Sequence, residues 1–357
     1  MKITAVDLFC GVGGLTHGFV KAGVEVTAGY DLDEACRYAY EKNNFSTFYQ
    51  RDISEVSPNE IATLFPKNSI KLLAGCAPCQ PFSKYTQKKP KDDRWGLLYH
   101  FSRLISGVNP DLVTMENVPG VCKHRVYQDF KAHLIDSGYY VTDTTVFCPD
   151  YGLPQRRLRL VLLASKLGPV ELIKPTHTVR EYRTVKDSIS HLPSIHAGQG
   201  CKHDRLHISA GLSQKNLSRI KHSKPGGTWR DWPEELLSTC HTKKSGQGYS
   251  SVYGRMEWSL PSPTITTQCY GFGNGRFGHP SQDRAISLRE AAILQSFPDE
   301  YEFLKDDDKL SMSTLGRLIG NAVPVVLGEV IAKSFQQHLN AVNCSNSTVI
   351  QSNLLSN

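Results

Sequence analysis

A chain of 357 residues, 39% hydrophobic and 21% charged, has the mix of a soluble globular protein and ample length for one large core or two smaller ones. No apolar run approaches the roughly 20 residues needed to span a bilayer. Residues 1–14 lack a basic region followed by an apolar stretch and place Asp7 inside the first hydrophobic segment, which argues against a secretory signal. Ten cysteines without a regular framework then read as reduced thiols in a cytoplasm, most of them small buried hydrophobes. Net charge is +7, and residues 171–260 carry 14 Lys+Arg against 8 Asp+Glu, an excess of six that suits a polyanionic partner.

The first 165 residues alternate short apolar strands with amphipathic segments. Residues 3–9 read as a buried strand, followed by a Gly-rich turn and a short helix from Leu15 closing at Gly23. Residues 24–29 form the next strand, and Asp33 is placed to cap a helix running to Asn43. Further strands are expected over 70–74, 111–115, 140–147 and 158–164, with helices over 95–105 and 127–137. Strands alternating with helices indicate a doubly wound, mostly parallel sheet of Rossmann-like α/β type. From about 169 to 278, Pro, Gly, Ser, His and basic residues dominate and periodicity fades, as in a smaller, loop-rich domain that meets a ligand. Ser287-Leu-Arg-Glu290 has the spacing of a helix capping box. A last amphipathic helix is expected over 325–339, before a polar, disordered tail. The expected division is therefore 1–168 and 279–342 for one catalytic domain, 169–278 for the loop-rich one, and 343–357 for the tail.

Several segments carry chemistry. Asp7-Leu-Phe-Cys-Gly11-Val-Gly13-Gly14-Leu15 follows a strand and opens a helix, and Asp31 after the second strand is placed to hold ribose hydroxyls. This is a nucleoside-cofactor pattern, and no Gly-Lys-Ser/Thr comes after it to suggest a triphosphatase. Asp52-Ile53 is placed to bracket an adenine, or Asp52 simply caps a helix. In Gly75-Cys-Ala-Pro78-Cys79-Gln-Pro81-Phe-Ser83 two prolines stiffen the loop. These residues alone leave open whether Cys79 is a nucleophile or structural. A zinc site through Cys76 and Cys79 lacks a convincing second ligand pair, and Pro81 fits a redox dithiol poorly. Glu116-Asn117 ends a strand, where carboxyl ends line the crevice of an open parallel sheet. In Gln155-Arg156-Arg157-Leu-Arg159, which enters a strand, residues 157 and 159 fall on one face, and two cations there call for something anionic. Gly320-Asn321-Ala-Val-Pro324 is read as the start of the final helix. Cys201, His203, His207, Cys240 and His241 match no trusted zinc spacing and are expected as solvated loop residues.

Taken in order, DLFCGVGGL, GCAPCQPFS, MENV, QRRLR, SPTIT, SLREAAILQSFPD and IGNAVP resemble the motif series of the cytosine-5 DNA methyltransferases of bacterial modification systems. The resemblance covers about residues 3–165 and 255–335, with the intervening stretch where that family carries its target-recognition domain. It implies an S-adenosylmethionine-dependent enzyme with Cys79 as nucleophile, Glu116 on the exocyclic amine and ring nitrogen 3, and Arg159 on the ring oxygen with Arg157 beside it. It places Phe9, Gly11, Gly13, Gly14, Leu15, Asp31, Asp52, Ile53, Pro78 and Asn321 around the methyl donor, and Ser83 and Gln155 on the substrate side. Cys10 stands where the family often has Ala or Ser. No metal is expected. The implied partner is double-stranded DNA, bound by a cytoplasmic, nucleoid-associated monomer that is either paired with a restriction endonuclease or solitary.

Two other readings share these motifs: a transfer RNA cytosine methyltransferase and an inactive DNA-binding regulator. The basic middle segment favours DNA over transfer RNA, and intact Cys79, Glu116, Arg157 and Arg159 speak against an inactive scaffold.

Overall fold

The structure is a computed structural model that describes residues 2–78, 96–244, 246 and 248–354, with side chains through Cys344. The chain divides into two compact units. The first takes residues 1–147, 158–175 and 323–357, and the second takes 148–157 and 176–322.

The first unit is built on a seven-stranded sheet of order β3-β2-β1-β4-β5-β7-β6. Its strands are β1 (Ile3–Leu8), β2 (Glu25–Asp31), β3 (Thr47–Gln50), β4 (Ile70–Gly75), β5 (Leu112–Asn117), β6 (Tyr140–Phe147) and β7 (Leu158–Ser165). β1 to β5 run parallel, while β7 is antiparallel to both β5 and β6. β1 and β5 are buried at every position, as expected of central strands covered on both faces. The helices α1 (Gly14–Lys21), α2 (Arg37–Asn44), α3 (Pro58–Ala62), α4 (Leu97–Val108) and α5 (Arg125–Asp136) make the connections. α4 and α5 pack Phe101, Leu104, Phe130 and Leu134 into the same apolar core as Leu73, Val113 and Leu162. Chain order along the sheet reverses between β1 and β4, so the crevice at their carboxyl ends is the switch point where open α/β sheets bind ligands.

The second unit is loop-rich. Its helices are α6 (Val185–Ile189), α7 (Gln214–His222), α8 (Thr239–Thr242), α9 (Leu288–Leu294) and α10 (Met312–Asn321). A small core gathers Ile220, Trp229, Trp232, Phe272 and Ala285. Ser287 caps α9 through the expected box with Glu290. The Glu290 carboxylate is also gripped by both terminal nitrogens of the fully buried Arg284 at 2.7 Å. That fork-to-fork geometry is the kind that satisfies a buried ion pair.

The structure differs from the sequence reading at several points. β3 has no counterpart among the expected strands. The segment around Asn321 ends α10 rather than starting the last helix. The last helix, α11 in the first unit, runs Val325–Leu354, because neither Pro nor Gly comes after Gly328 to stop it. Within 312–344 an 18-residue window is apolar enough to cross a membrane by composition, but 78% of that window is buried inside the protein. α1 meets α11 closely. A Cβ on Gly18 would lie 2.3 Å from the Val325 carbonyl oxygen, so only glycine allows that approach.

Candidate active site

The end of β1 bends sharply into the glycine loop. Phe9 takes a φ of 59°, Gly11 52° and Gly13 84°. A phenylalanine in the left-handed region is uncommon and marks a constrained turn of the kind that collects at functional sites. The turn presents Phe9 to a cavity of about 390 Å³, lined also by Asp31, Leu32, Arg51, Asp52, Ile53, Ser54, Pro78, Leu97 and His100. That volume suits a drug-sized ligand. Sequence motifs single out Phe9, Asp31, Asp52, Ile53 and Pro78. They do not single out Leu32, Arg51, Ser54, Leu97 or His100. Gly11, Gly13, Gly14 and Leu15 are absent from the lining; Gly11 and Gly13 shape the turn, Gly14 and Leu15 open α1, and the Gly11 N–H donates to Asp31.

Asp31 is held in place by two backbone donors: Gly11 N–H to Oδ2 and Asp33 N–H to Oδ1, both at 2.9 Å. Each carboxylate oxygen keeps capacity for a further donor such as a ribose hydroxyl. Burial raises the Asp31 pKa, opposed by these backbone hydrogen bonds. Asp52 accepts from Ser54 N–H at 2.9 Å, which lowers its pKa, so its carboxylate stays charged at the cavity wall. The cavity therefore joins an aromatic face, apolar walls (Ile53, Pro78, Leu97) and two carboxylates. This donor set fits the adenosine part of S-adenosylmethionine. Asn321, exposed at the end of α10, belongs to the second unit.

Beneath this loop, Asp7 is fully buried. Thr16 Oγ1 donates to its Oδ2 at 2.7 Å, while Oδ1 has no hydrogen-bond partner among the described residues. Burial pushes the Asp7 pKa up to about 7, with the Thr16 bond opposing and the Asp31 charge adding.

The next crevice element comes from β5 and β7. Glu116, near the carboxyl end of β5, is 8% exposed. Arg159 Nε lies 2.8 Å from Glu116 Oε1 as an ion pair without hydrogen-bond alignment at that oxygen. Arg159 Nη1 also donates to the Leu158 carbonyl at 2.7 Å. The neighbouring Asn117 donates from Nδ2 to the Ala77 carbonyl at 3.1 Å, tying β5 to the backbone just past the end of β4. From sequence, Asn117 reads only as part of a strand end. Cys79 and Ser83 lie outside the described residues.

Arg157 does not share a strand face with Arg159, because β7 begins at Leu158 and Arg157 belongs to the second unit. It is 3% exposed and donates from Nη1 to Gln155 Oε1 at 3.3 Å and to the Ile265 carbonyl at 3.1 Å. Gln155 is fully buried, with its amide engaged by protein partners at both ends. It therefore positions neighbours instead of touching a ligand. His207, expected as a solvated loop residue, is buried too, with Nδ1 against Ser287 Oγ and Nε2 against the Pro193 carbonyl.

This architecture is shared with solved methyltransferases. A protein encoded within an E. coli prophage and described as a DNA modification methyltransferase superposes with a TM-score of 0.72 at 23% identity, covering 95% of this chain and 100% of that one. The Entamoeba histolytica methyltransferase EhMeth gives 0.66 at 15% identity over 95% and 99%. At such identities the likeness defines the fold. The sequence goes further: the family model of the C-5 cytosine-specific DNA methylases matches residues 3–337, and the chain belongs to that family. It is 54% identical to the Type II methylase M.HgiDII of Herpetosiphon aurantiacus over 95% of this chain and 96% of that protein. It is 32% identical to the Type II methyltransferase M1.BsuMI of Bacillus subtilis, over 93% and 80%.

Proposed function

We propose that this enzyme transfers the methyl group of S-adenosylmethionine to carbon 5 of a cytosine extruded from a specific duplex DNA sequence, with Cys79 as the covalent nucleophile. The observation that carries the reading is the pairing of the Phe9–Asp31–Asp52 cavity with the Glu116–Arg159 ion pair at neighbouring strand ends of one sheet. Cytosine carbon 5 is a poor nucleophile. Addition of the Cys79 thiolate to carbon 6 turns the ring into an enamine, and thiolates suit this because they attack readily and leave again. Glu116 holds the exocyclic amine and ring nitrogen 3, where electron density gathers, and Arg159 holds the ring oxygen. S-adenosylmethionine, when held by Phe9, Asp31, Asp52 and Ile53, would supply the electrophilic methyl group and leave as the neutral thioether. Loss of the carbon 5 proton to a base then expels the thiolate and restores the aromatic ring. A base inside a duplex is out of reach, so it is flipped out at a cost of a few kcal/mol.

Residues 169–278 supply target recognition. Their cations contact phosphates for affinity, and groove contacts choose the sequence. The setting is a bacterial cytoplasm, with the enzyme acting as a monomer on nucleoid DNA, as a restriction partner or alone. A Cys79→Ser variant loses methyl transfer from tritiated donor while retaining duplex binding. Wild-type turnover by that variant would refute the nucleophile assignment.

A further inference from the structure

Four motif segments of the second unit meet at two buried glutamines. Gln155 and Gln295 are both fully inaccessible to solvent. Gln155 Nε2 donates to Gln295 Oε1 at 2.8 Å and to the Leu294 carbonyl at 3.0 Å. Gln155 Oε1 accepts from Ile265 N–H at 2.9 Å and from Arg157 Nη1 at 3.3 Å. Gln295 Nε2 donates to the Ile319 carbonyl at 2.8 Å, with the Gly320 and Ala322 carbonyls at 3.4 Å.

An amide's oxygen and nitrogen are assigned from the network around them, and here one assignment is self-consistent. The Ile265 N–H and the Arg157 guanidinium can only donate, so the Gln155 oxygen must face them. Its nitrogen then faces Gln295, whose oxygen must accept, which turns the Gln295 nitrogen toward three carbonyls. Both donors and both lone pairs of the Gln155 amide are used, so neither amide flips without leaving a buried polar group unpaired. Close approach reinforces the link. A Cβ on Gly320 would lie 2.4 Å from the Thr266 carbonyl oxygen, so glycine is required where the end of α10 meets the segment after Ile265.

We infer that Gln295 is a positioning residue whose amide, relayed through Gln155, sets both the Arg157 guanidinium and the backbone on either side of Asn321. The inference rests on the proposed methyl transfer and on the roles that the motif resemblance implies in it for Arg157 beside the target base and Asn321 at the methyl donor. It adds that those roles are coupled through one buried pair. The carbonyls that receive the Gln295 amide belong to the residues before and after Asn321, so its direction and that of Arg157 are fixed by the same hydrogen-bond chain. Neither glutamine touches a reacting atom.

The test uses full-length enzyme and Gln295→Met, which conserves volume and removes the amide. Donor KM is expected to rise about ten-fold or more, and covalent capture on a 5-fluorocytosine duplex to slow by a similar factor per folded molecule. Gln155→Met gives the same pair of effects, and the double variant is no worse than either single one, because all three break one relay. A contribution to folding alone would lower the melting temperature and the capturable fraction while leaving KM and the per-molecule capture rate at wild-type values, and that result overturns the inference. Additive single effects overturn it as well. Gln295→Glu gives a second route: the introduced carboxyl still accepts from Gln155 and donates toward the Asn321 segment only when protonated. Its donor KM, relative to wild type, should improve as pH falls, and a pH-independent ratio counts against the relay. Asn321→Ala and Arg157→Ala are the references. If they leave KM and capture untouched, the roles beneath the inference are wrong. If they act and Gln295→Met does not, the relay is wrong.

Discussion

Asp7→Asn is the substitution with the most direct physical prediction. The carboxyl is fully buried, with one oxygen bonded to Thr16 and the other without a hydrogen-bond partner among the described residues. Its pKa rises from 3.8 to about 7, which at about 1.36 kcal/mol per unit is roughly 4 kcal/mol of penalty on the ionised form. The folded state therefore binds the proton more tightly than the unfolded chain. The contribution is fully present below about pH 4 and is lost as pH rises through about 7. Integrated over the two titrations, roughly 2.5 kcal/mol of that loss falls between pH 5 and pH 8. Asparagine keeps an oxygen for Thr16 and cannot ionise, so it lacks this slope. Urea unfolding of both proteins at pH 5, 6, 7 and 8 reads the difference in free energy, in which the other carboxylates largely cancel. The variant should gain steadily on wild type as pH rises. A difference that stays flat within about 0.5 kcal/mol would show that Asp7 does not titrate in this range, and the account of its burial would fall.

Other perturbations read the site. Arg103 on α4 donates from one terminal nitrogen to the carbonyls of Ile53, Ser54 and Val56 at 2.9, 3.2 and 2.9 Å, fixing the wall that carries Asp52 and Ile53 opposite Leu97 and His100. Arg103→Met is expected to raise donor KM roughly ten-fold with kcat at saturating donor little changed, as steady-state kinetics with labelled donor would show. Arg159→Met leaves the Glu116 carboxylate buried without the cation that meets it among the described residues. Turnover should fall at least about 100-fold, and unfolding should become easier by about 3 kcal/mol. Duplex binding should weaken linearly in log–log with added salt as phosphate contacts of the 171–260 cations are screened, and a flat profile would take that segment out of the interface.

The strands of the first unit are legible because β4 and β5 are apolar runs bounded by Gly, Asn and Asp and β1 leads into a Gly-rich turn. β3 is not, because only Phe48 of its four residues is buried, too little to make a pattern. α10 escapes for a different reason. Gly316 and Gly320 look like breakers, yet each sits where a side chain would strike a neighbour: the Tyr270 ring lies 2.4 Å from the first position and the Thr266 backbone 2.3 Å from the second. Tertiary packing outweighs propensity there. In the donor cavity, sequence picks out residues just past the ends of β1, β2, β3 and β4, since strand ends are where ligand contacts collect. It does not pick out Leu97 and His100, which reach the same cavity from the first turn of α4 and carry no local motif. The Gln155–Gln295 contact joins residues 140 apart in the chain, and neither residue type announces burial.

The two arginines of the QRRLR segment show why spacing is read wrongly without register. Alternation suggests one strand face for both, but the ladder pairs Leu158 with Phe147 and Arg159 with Val146 and goes no further. Immediately before it, Cys148 N–H donates to the Arg157 carbonyl at 2.9 Å, closing residues 148–157 into an excursion of the second unit between β6 and β7. The interval between the arginines is thus set by where the excursion closes and where the strand begins. Arg157 Nη1 donates to Gln155 and to the Ile265 carbonyl, and Arg159 Nε meets Glu116. A shared anion is not needed to explain two cations so close together. Each has its own acceptors, and the chemistry assigned to Arg159 rests on its carboxylate partner alone.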